Sequence, residues 1–345
     1  MRNFVKPFTV TASLMMIFLT AACGNASTHT SGNSAASPAS SAAASVQPSA
    51  APAADAVKTI KHDLGTTEIK GTPKRIVTLE WSYAEDLLAV GIQPVGNADN
   101  KGYGNWVNVK PALDASVVDV GTRQEPNLET ITGLKPDLII TSTLRSSKNY
   151  DALSKIAPTI AFNSYPAEGK GDQYSEMENA FKTIADVVGK KAEGDKVLAD
   201  LQKTYADTKA KLAAAKKDGA EIALTQAFSN QNNADLRMFT DNSMAIQILQ
   251  RIGLKNVFKS TKFELYGYQT ASVEALPAVQ NASFFYIVQD NDNVFEKQLK
   301  DNAVWKGLAF VKDNKTYKLP GNTWTFGVPL SAKVFAELTA NALTK

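Results

Sequence analysis

Three features of this 345-residue chain predict an α/β fold of two similar lobes. From residue 74 onward short apolar runs alternate with amphipathic stretches. One motif of polar cap, apolar residue, glutamate, helix and buried strand occurs twice, and a helical stretch rich in Ala, Lys, Leu and Glu separates its two occurrences. Strands alternating with helices at this spacing make mainly parallel sheets with helices on both faces, and such sheets bind ligands at the carboxyl ends of their strands. Two lobes imply a cleft between them.

The chain opens with Arg2 and Lys6 ahead of an apolar segment from Phe8 to Leu19, which reads as a signal peptide over residues 1–22. The segment is too short and too one-sided for a membrane span. It ends "LTAAC", similar to a bacterial lipobox, in which the cysteine is lipidated and becomes the mature N-terminus. Leu19 stands one place further from Cys23 than the usual pattern, with Thr20 in its slot. Ordinary cleavage near Ala22 is the alternative, and the position of the chain's only cysteine favours lipidation of Cys23. Residues 23–55 then read as a lipidated cysteine and a disordered Ser/Ala/Pro tether. The expected location is the extracytoplasmic face of the cell membrane, held by the lipid anchor.

Residues 56–173 read as the first lobe. "VKTIKHDLGTTEIKG" suggests a hairpin around Gly65, "KRIVTL" a buried strand, and "SYAEDLLAVGI" a helix capped by Ser82 and ended by Gly91. The alternation continues through "QPVGNA", "ASVVDVG", the helix "NLETITGL", the strand "DLIIT", the helical "NYDALSKI" and the strand "TIAF". Residues 174–217 read as a helical connector: Phe181, Ile184, Val187, Leu198, Leu201, Tyr205 and Leu212 fall at helical spacing, and Gly189 and Gly194 favour two helices over one. Residues 218–345 read as the second lobe, with the strand "EIALTQAF", a loop, the helix "NSMAIQILQRIGL", the helix start "SVEALPAV" and the strand "SFFYIVQ".

The formal charge of +3 and the absence of a dense basic run exclude a nucleic-acid footprint. One cysteine and two histidines, His29 and His62, leave neither a disulfide framework nor a Cys/His set for a resident metal. There is no G-x-S-x-G elbow, P-loop or H-E-x-x-H, so no catalytic residue is assigned and the chain is read as a non-enzyme; an exported α/β hydrolase is the distant alternative.

Residues 57 to 343 resemble the iron-siderophore and cobalamin substrate-binding proteins of ABC importers, the class III periplasmic binding proteins. The resemblance rests on "KRIVTLEWSYAEDLLAVGIQPVG", "VGTRQEPNLETITGLKPDLII" and "SVEAL" before a strand, in that order. It implies two lobes joined by a long rigid helix, a ligand cleft between them, a monomer, and no cofactor other than ferric iron chelated within a bound siderophore. It also implies that Glu129 and Glu274, after the N-caps Asn127 and Ser272, meet arginines of the two permease subunits. Taken singly, either glutamate would read as a complement to a helix dipole, worth about 0.3–1 kcal/mol; their equivalent placement in both lobes favours docking.

For the ligand, the resemblance points to Arg123, Arg145 and Tyr268, and more loosely to Arg237 in a loop after the second lobe's first strand. Trp324 and Phe326 occupy the last loop before the C-terminal helix, where members that take carboxylate siderophores carry several arginines. That departure leaves room for iron citrate, a hydroxamate or a citrate-hydroxamate chelate. Tyr83 and Trp106, with Trp81 and Tyr103, are further candidates for an aromatic wall on first-lobe loops. Haem or cobalamin is the alternative cargo within the same fold.

Overall fold

The structure, a computed structural model, describes residues 57–345; the leader, Cys23 and the tether read from the sequence lie outside them. The strands β1 (Val57–His62) and β2 (Gly65–Lys70) form the antiparallel hairpin expected at the start of the first lobe.

Five strands make the first sheet: β3 (Ile76–Thr78), β4 (Gly96–Asn97), β5 (Val118–Asp119), β6 (Leu138–Ser142) and β7 (Thr159–Phe162). All pairs are parallel, in the order β5-β4-β3-β6-β7. Their side chains alternate between two cores: Ile76, Leu138 and Ile140 face one, whereas Val77 and Ile139 face the other. The helices α1 (Trp81–Ala89), α2 (Asn100–Trp106), α3 (Leu128–Gly133), α4 (Thr143–Ser146) and α5 (Tyr150–Ile156) connect the strands. The chain runs from β3 to β4 and β5, then returns to the other side of β3 at β6. A crevice therefore opens between β3 and β6, beyond their carboxyl ends. The helix α1 stops in a Schellman turn, Gly91 N–H to Leu88 O and Ile92 N–H to Leu87 O, as Gly91 suggested. Its N-cap is Glu80 rather than Ser82. The Ser82 hydroxyl instead donates to Phe326 O at 3.2 Å, because the backbone turns into the helix two residues earlier than the sequence pattern implied.

The connector is a pair of helices, α6 (Gln173–Val187) and the 24-residue α7 (Lys191–Ala214). They part at Gly189, whose φ of +71° and hydrogen bond to Asp186 O close a second Schellman turn. Both helices span the lobes: Phe181, Ile184 and Leu198 pack in the first-sheet core, and Tyr174, Met177, Leu201, Tyr205 and Leu212 in that of the second. Gly194 does not break α7 but lets α6 lie close against it.

The second sheet comprises β8 (Glu221–Asn230), β9 (Asn233–Phe239), β10 (Lys255–Asn256), β11 (Tyr268–Ala271), β12 (Ser283–Ile287) and β13 (Thr316–Leu319), in the order β11-β9-β8-β12-β13 with β10 beside β8. It is mixed rather than mainly parallel: β8 pairs parallel with β10 and β12, and β12 with β13, but β9 is antiparallel to both β8 and β11. The polar run Asn230 to Asn233 reads as the start of a loop, yet it is a tight turn with Gln231 at φ +54°, after which the chain doubles back along β8. Four α-helices complete the lobe: α8 (Met244–Arg251), α9 (Ala303–Gly307), α10 (Ala309–Lys312) and α11 (Pro329–Leu343). No helix among the described residues is long and apolar enough to cross a membrane.

A Cβ at Gly194 would lie 2.6 Å from Ala185 Cβ, so a side chain there must push α6 and α7 apart. Gly194→Val is expected to lower the unfolding free energy by about 1–3 kcal/mol in urea denaturation.

Candidate ligand-binding site

A cavity of about 350 Å³ lies between the lobes, where the strand ends of the first sheet, the first turns of α6 and the loop before α11 converge. Glu80 follows β3, Arg123 follows β5, Ser142 ends β6 and Arg145 follows it on α4, and Tyr165 follows β7. From the second lobe come Arg237, Met244, Tyr266, Tyr268, Trp324 and Phe326. The switch point read from the strand order is thus where the polar groups collect.

Glu80 is central to this group. One carboxylate oxygen accepts from Arg123 Nη1 at 3.2 Å and the other from Arg145 Nε at 2.6 Å, with the Glu80 side chain 14% exposed. The Arg123 guanidinium also lies 3.7 Å from the centroid of the Trp81 ring. Arg123 Nε and Ser142 Oγ are buried without a hydrogen-bond partner among the described residues. Arg237 sits on β9 rather than in a loop, because that segment is the second strand of a hairpin. It donates to Gln226 Oε1 at 3.1 Å and lies over the rings of Phe228 and Tyr268.

Aromatic rings run in an unbroken band from one lobe to the other. Trp81 meets Trp324 at 5.1 Å, Trp324 meets Phe326 at 5.3 Å, and Phe326 meets Tyr268 at 6.1 Å. Tyr268 stacks on Tyr266, which meets Tyr165 of the first lobe edge-on at 5.2 Å. Burial and then the Glu80 carboxylate push the Tyr165 hydroxyl well above the usual phenol range, so it stays a protonated donor. Tyr83 also lines the cavity, with its hydroxyl 3.1 Å from Ser164 Oγ. It belongs to α1 rather than a loop.

Trp106, and with it Trp81 and Tyr103, does not line the cavity. It lies at the end of α2 and packs against the cluster of Trp81, Tyr103 and Val107, since α2 turns its aromatics toward α1. Glu80, Tyr165 and Tyr266 were missed by the sequence reading. For Glu80 the signal was its place immediately beyond the strand "IVTL", where polar residues of such sheets reach a ligand.

A second carboxylate of α1 joins the lobes. Glu85 is fully buried and accepts from Ser331 N–H at 2.7 Å and Ser331 Oγ at 2.6 Å. It caps α11, whose own N-cap residue, Val328, provides no side-chain cap. The loop carrying Trp324 and Phe326 is thereby pinned to the first lobe.

The two glutamates read as docking residues are both exposed. Glu129 stands in the first turn of α3, where Asn127 Oδ1 accepts from Thr130 N–H at 2.9 Å as expected of an N-cap. Glu274 begins a 3₁₀-helix, Val273–Val279, that contains Pro277, and Ser272 gives it no side-chain cap. The Ser272 hydroxyl bonds Glu274 instead and holds its carboxyl below the usual range.

The profile of the family described as periplasmic binding protein matches residues 76–323, which span both sheets and the connector. The chain belongs to this family. This periplasmic binding protein is 34% identical over 271 residues to the Fe(3+)-citrate-binding protein YfmC of Bacillus subtilis, covering 78% of this chain and 80% of that one. It is 30% identical over 324 residues to the probable siderophore-binding lipoprotein YfiY of the same organism, covering 90% of each. Among solved structures it is similar to the Fe3+-Desferal-bound siderophore-binding protein FhuD of Vibrio cholerae, with a TM-score of 0.70, 26% identity, and coverage of 79% of this chain and 98% of that one. The TM-score to Staphylococcus aureus SirA complexed with staphyloferrin B is 0.62, at 27% identity over 83% of this chain and 98% of the other.

Burial raises the Glu85 carboxyl from 4.5 to about 7 against the pull of its hydrogen bonds. The folded state therefore keeps a proton that the unfolded state releases between these values, and the stability this contributes is complete below pH 4.5 and lost as pH rises through 7. The loss is on the order of 3 kcal/mol. Glu85→Gln keeps an acceptor for Ser331 N–H, and unfolding measured from pH 4 to 8 should show a correspondingly flatter profile.

Proposed function

We propose that this chain is a non-catalytic, extracytoplasmic receptor that captures a ferric siderophore and delivers it to the permease of an ABC importer. The observation that carries this reading is a cross-lobe cavity in which three arginines are set into a continuous aromatic wall. A ferric chelate of iron citrate, hydroxamate or citrate-hydroxamate type presents outward oxygens on a broad, partly apolar body. Arginine forks, buried hydroxyls and ring faces are the groups that recognise such a surface. The names of the relatives, which bind ferric citrate and siderophores, agree with this reading.

Arg123, Arg145 and Arg237 are the polar contacts of the proposed complex, and Tyr83, Tyr268 and Trp324 its walls. Ferric iron arrives and leaves as cargo inside the chelate. Haem is the alternative cargo; it would need a tyrosine or methionine of the cavity as axial ligand, since His62, the one histidine among the described residues, is bonded to Thr67 and Tyr150 beside the β1–β2 hairpin. Cys23 would carry the lipid anchor, and the tether would let a monomeric body reach the permease from the membrane surface. Glu129 and Glu274, one exposed on each lobe, would meet permease arginines.

Trp324 lines the cavity and Trp81 packs against it, so tryptophan fluorescence reports its occupancy. Titration with ferric citrate, ferric schizokinen, ferrichrome, a ferric catecholate, haemin and cobalamin should give saturable quenching with one ferric chelate at sub-micromolar concentration; silence with every iron chelate would defeat the receptor reading. Replacing Arg123 with Ala should weaken that chelate about 10- to 100-fold, the cost of losing one charge-assisted hydrogen bond. Glu129→Ala with Glu274→Ala should leave binding intact and abolish iron uptake by cells; undiminished uptake would remove the docking assignment.

A further inference from the structure

We propose that Glu80 determines which ferric chelates the cavity accepts, by acting as a built-in counter-charge between Arg123 and Arg145. The inference rests on the receptor reading and adds to it a specificity residue and the charge class of the ligand.

Both oxygens of the Glu80 carboxylate are committed, one to each arginine, at 3.2 and 2.6 Å. The group lies at the N-terminus of α1, where the positive end of the helix favours an anion, and 86% of its side-chain surface is covered, since 14% is exposed. So placed, it does two things to the cavity. It fixes the orientation of both guanidinium planes before a ligand arrives, and Arg123 Nε remains without a partner. It also cancels one of the three arginine charges that line the cavity, while Glu176 opposes another, so one unit of positive charge remains.

A chelate with several outward carboxylates would need more positive charge than this, and its anionic groups would meet Glu80 across a weakly screening space. A neutral or singly charged chelate with hydroxamate oxygens would not. It would take up Arg123 Nε, Ser142 Oγ and the protonated hydroxyl of Tyr165, which ask for acceptors rather than for compensating charge. At an effective dielectric near 20 and a separation of about 12 Å, each unit of ligand charge changes the affinity about tenfold for each protein charge added or removed.

The test compares affinities of the wild-type protein, Glu80→Gln and Glu80→Asp for ferrichrome (neutral), ferric schizokinen (at most singly charged) and ferric dicitrate (polyanionic). Wild type should prefer one of the first two over ferric dicitrate, and that order needs no variant to be measured. Glu80→Gln should shift the ratio toward ferric dicitrate by at least tenfold, and Glu80→Asp, which keeps the charge, should retain the wild-type order. If Glu80→Gln weakens all chelates by the same factor, Glu80 merely supports the arginines and the inference falls while the receptor reading stands. A wild-type preference for ferric dicitrate, or a response only to a ferric catecholate, would likewise overturn the inference alone. Silence with every ferric chelate would remove both.

Discussion

The arrangement of this protein depends on two acids of one short helix. Glu80 and Glu85 lie at the start and in the second turn of α1, the helix that follows the central strand of the first sheet. Glu80 gathers the arginines that follow β5 and β6; Glu85 reaches across to the first turn of α11. A buried carboxylate is tolerable only where donors surround it. Each of these two therefore dictates where its partners stand, and between them they set the floor of the cavity and the position of the loop that closes it.

The helical hairpin of α6 and α7 gives these contacts a stable frame. Each helix packs into the cores of both lobes, so the lobes share their longest elements rather than hanging on a flexible strand. Side-chain contacts reinforce the frame across the cleft: Gln173 of α6 donates to Leu265 O and accepts from Met244 N–H, and Ser82 donates to Phe326 O. At the rim of the cavity Leu144 and Tyr266 are each about two-fifths exposed.

Burial also sets the chemistry that the cavity can offer. The hydroxyls of Tyr83 and Tyr165 are held above the usual phenol range chiefly by loss of water, and so remain donors or neutral acceptors. Next to Glu85, Asp86 is buried with neither carboxylate oxygen paired, and burial followed by the neighbouring Glu85 charge raises its carboxyl well above the usual range. It is a neutral acid inside the first lobe. The junction thus holds two acids whose carboxyls burial raises, Glu85 hydrogen-bonded and Asp86 unpaired, on adjacent residues of the same helix.

Much of this was legible in the sequence because it depends on local pattern. Apolar runs of strand length, the glycines at 91 and 189 and the cap at Asn127 act within a few residues of themselves, and the structure has β3, β6, the end of α1, the break between α6 and α7 and the start of α3 at those places. The two lobes were legible through the repeated motif; Arg123, Arg145 and Tyr268 were named through the resemblance and Trp324 by its place in the last loop, and all four line the cavity. The antiparallel turn into β9 was not, because a polar tetrapeptide reads equally well as a loop. Neither were the roles of Glu80 and Glu85, nor the withdrawal of Trp106 from the cavity. An acid in "EWSYAEDLL" reads as a solvated helix residue until residues 65 and 246 positions along the chain are brought to it. Local sequence decides which segments become strands and helices, since backbone hydrogen bonding and side-chain periodicity are short-ranged. Which charges are buried together is decided only by the packing of lobes far apart in the chain, and that packing makes the cleft.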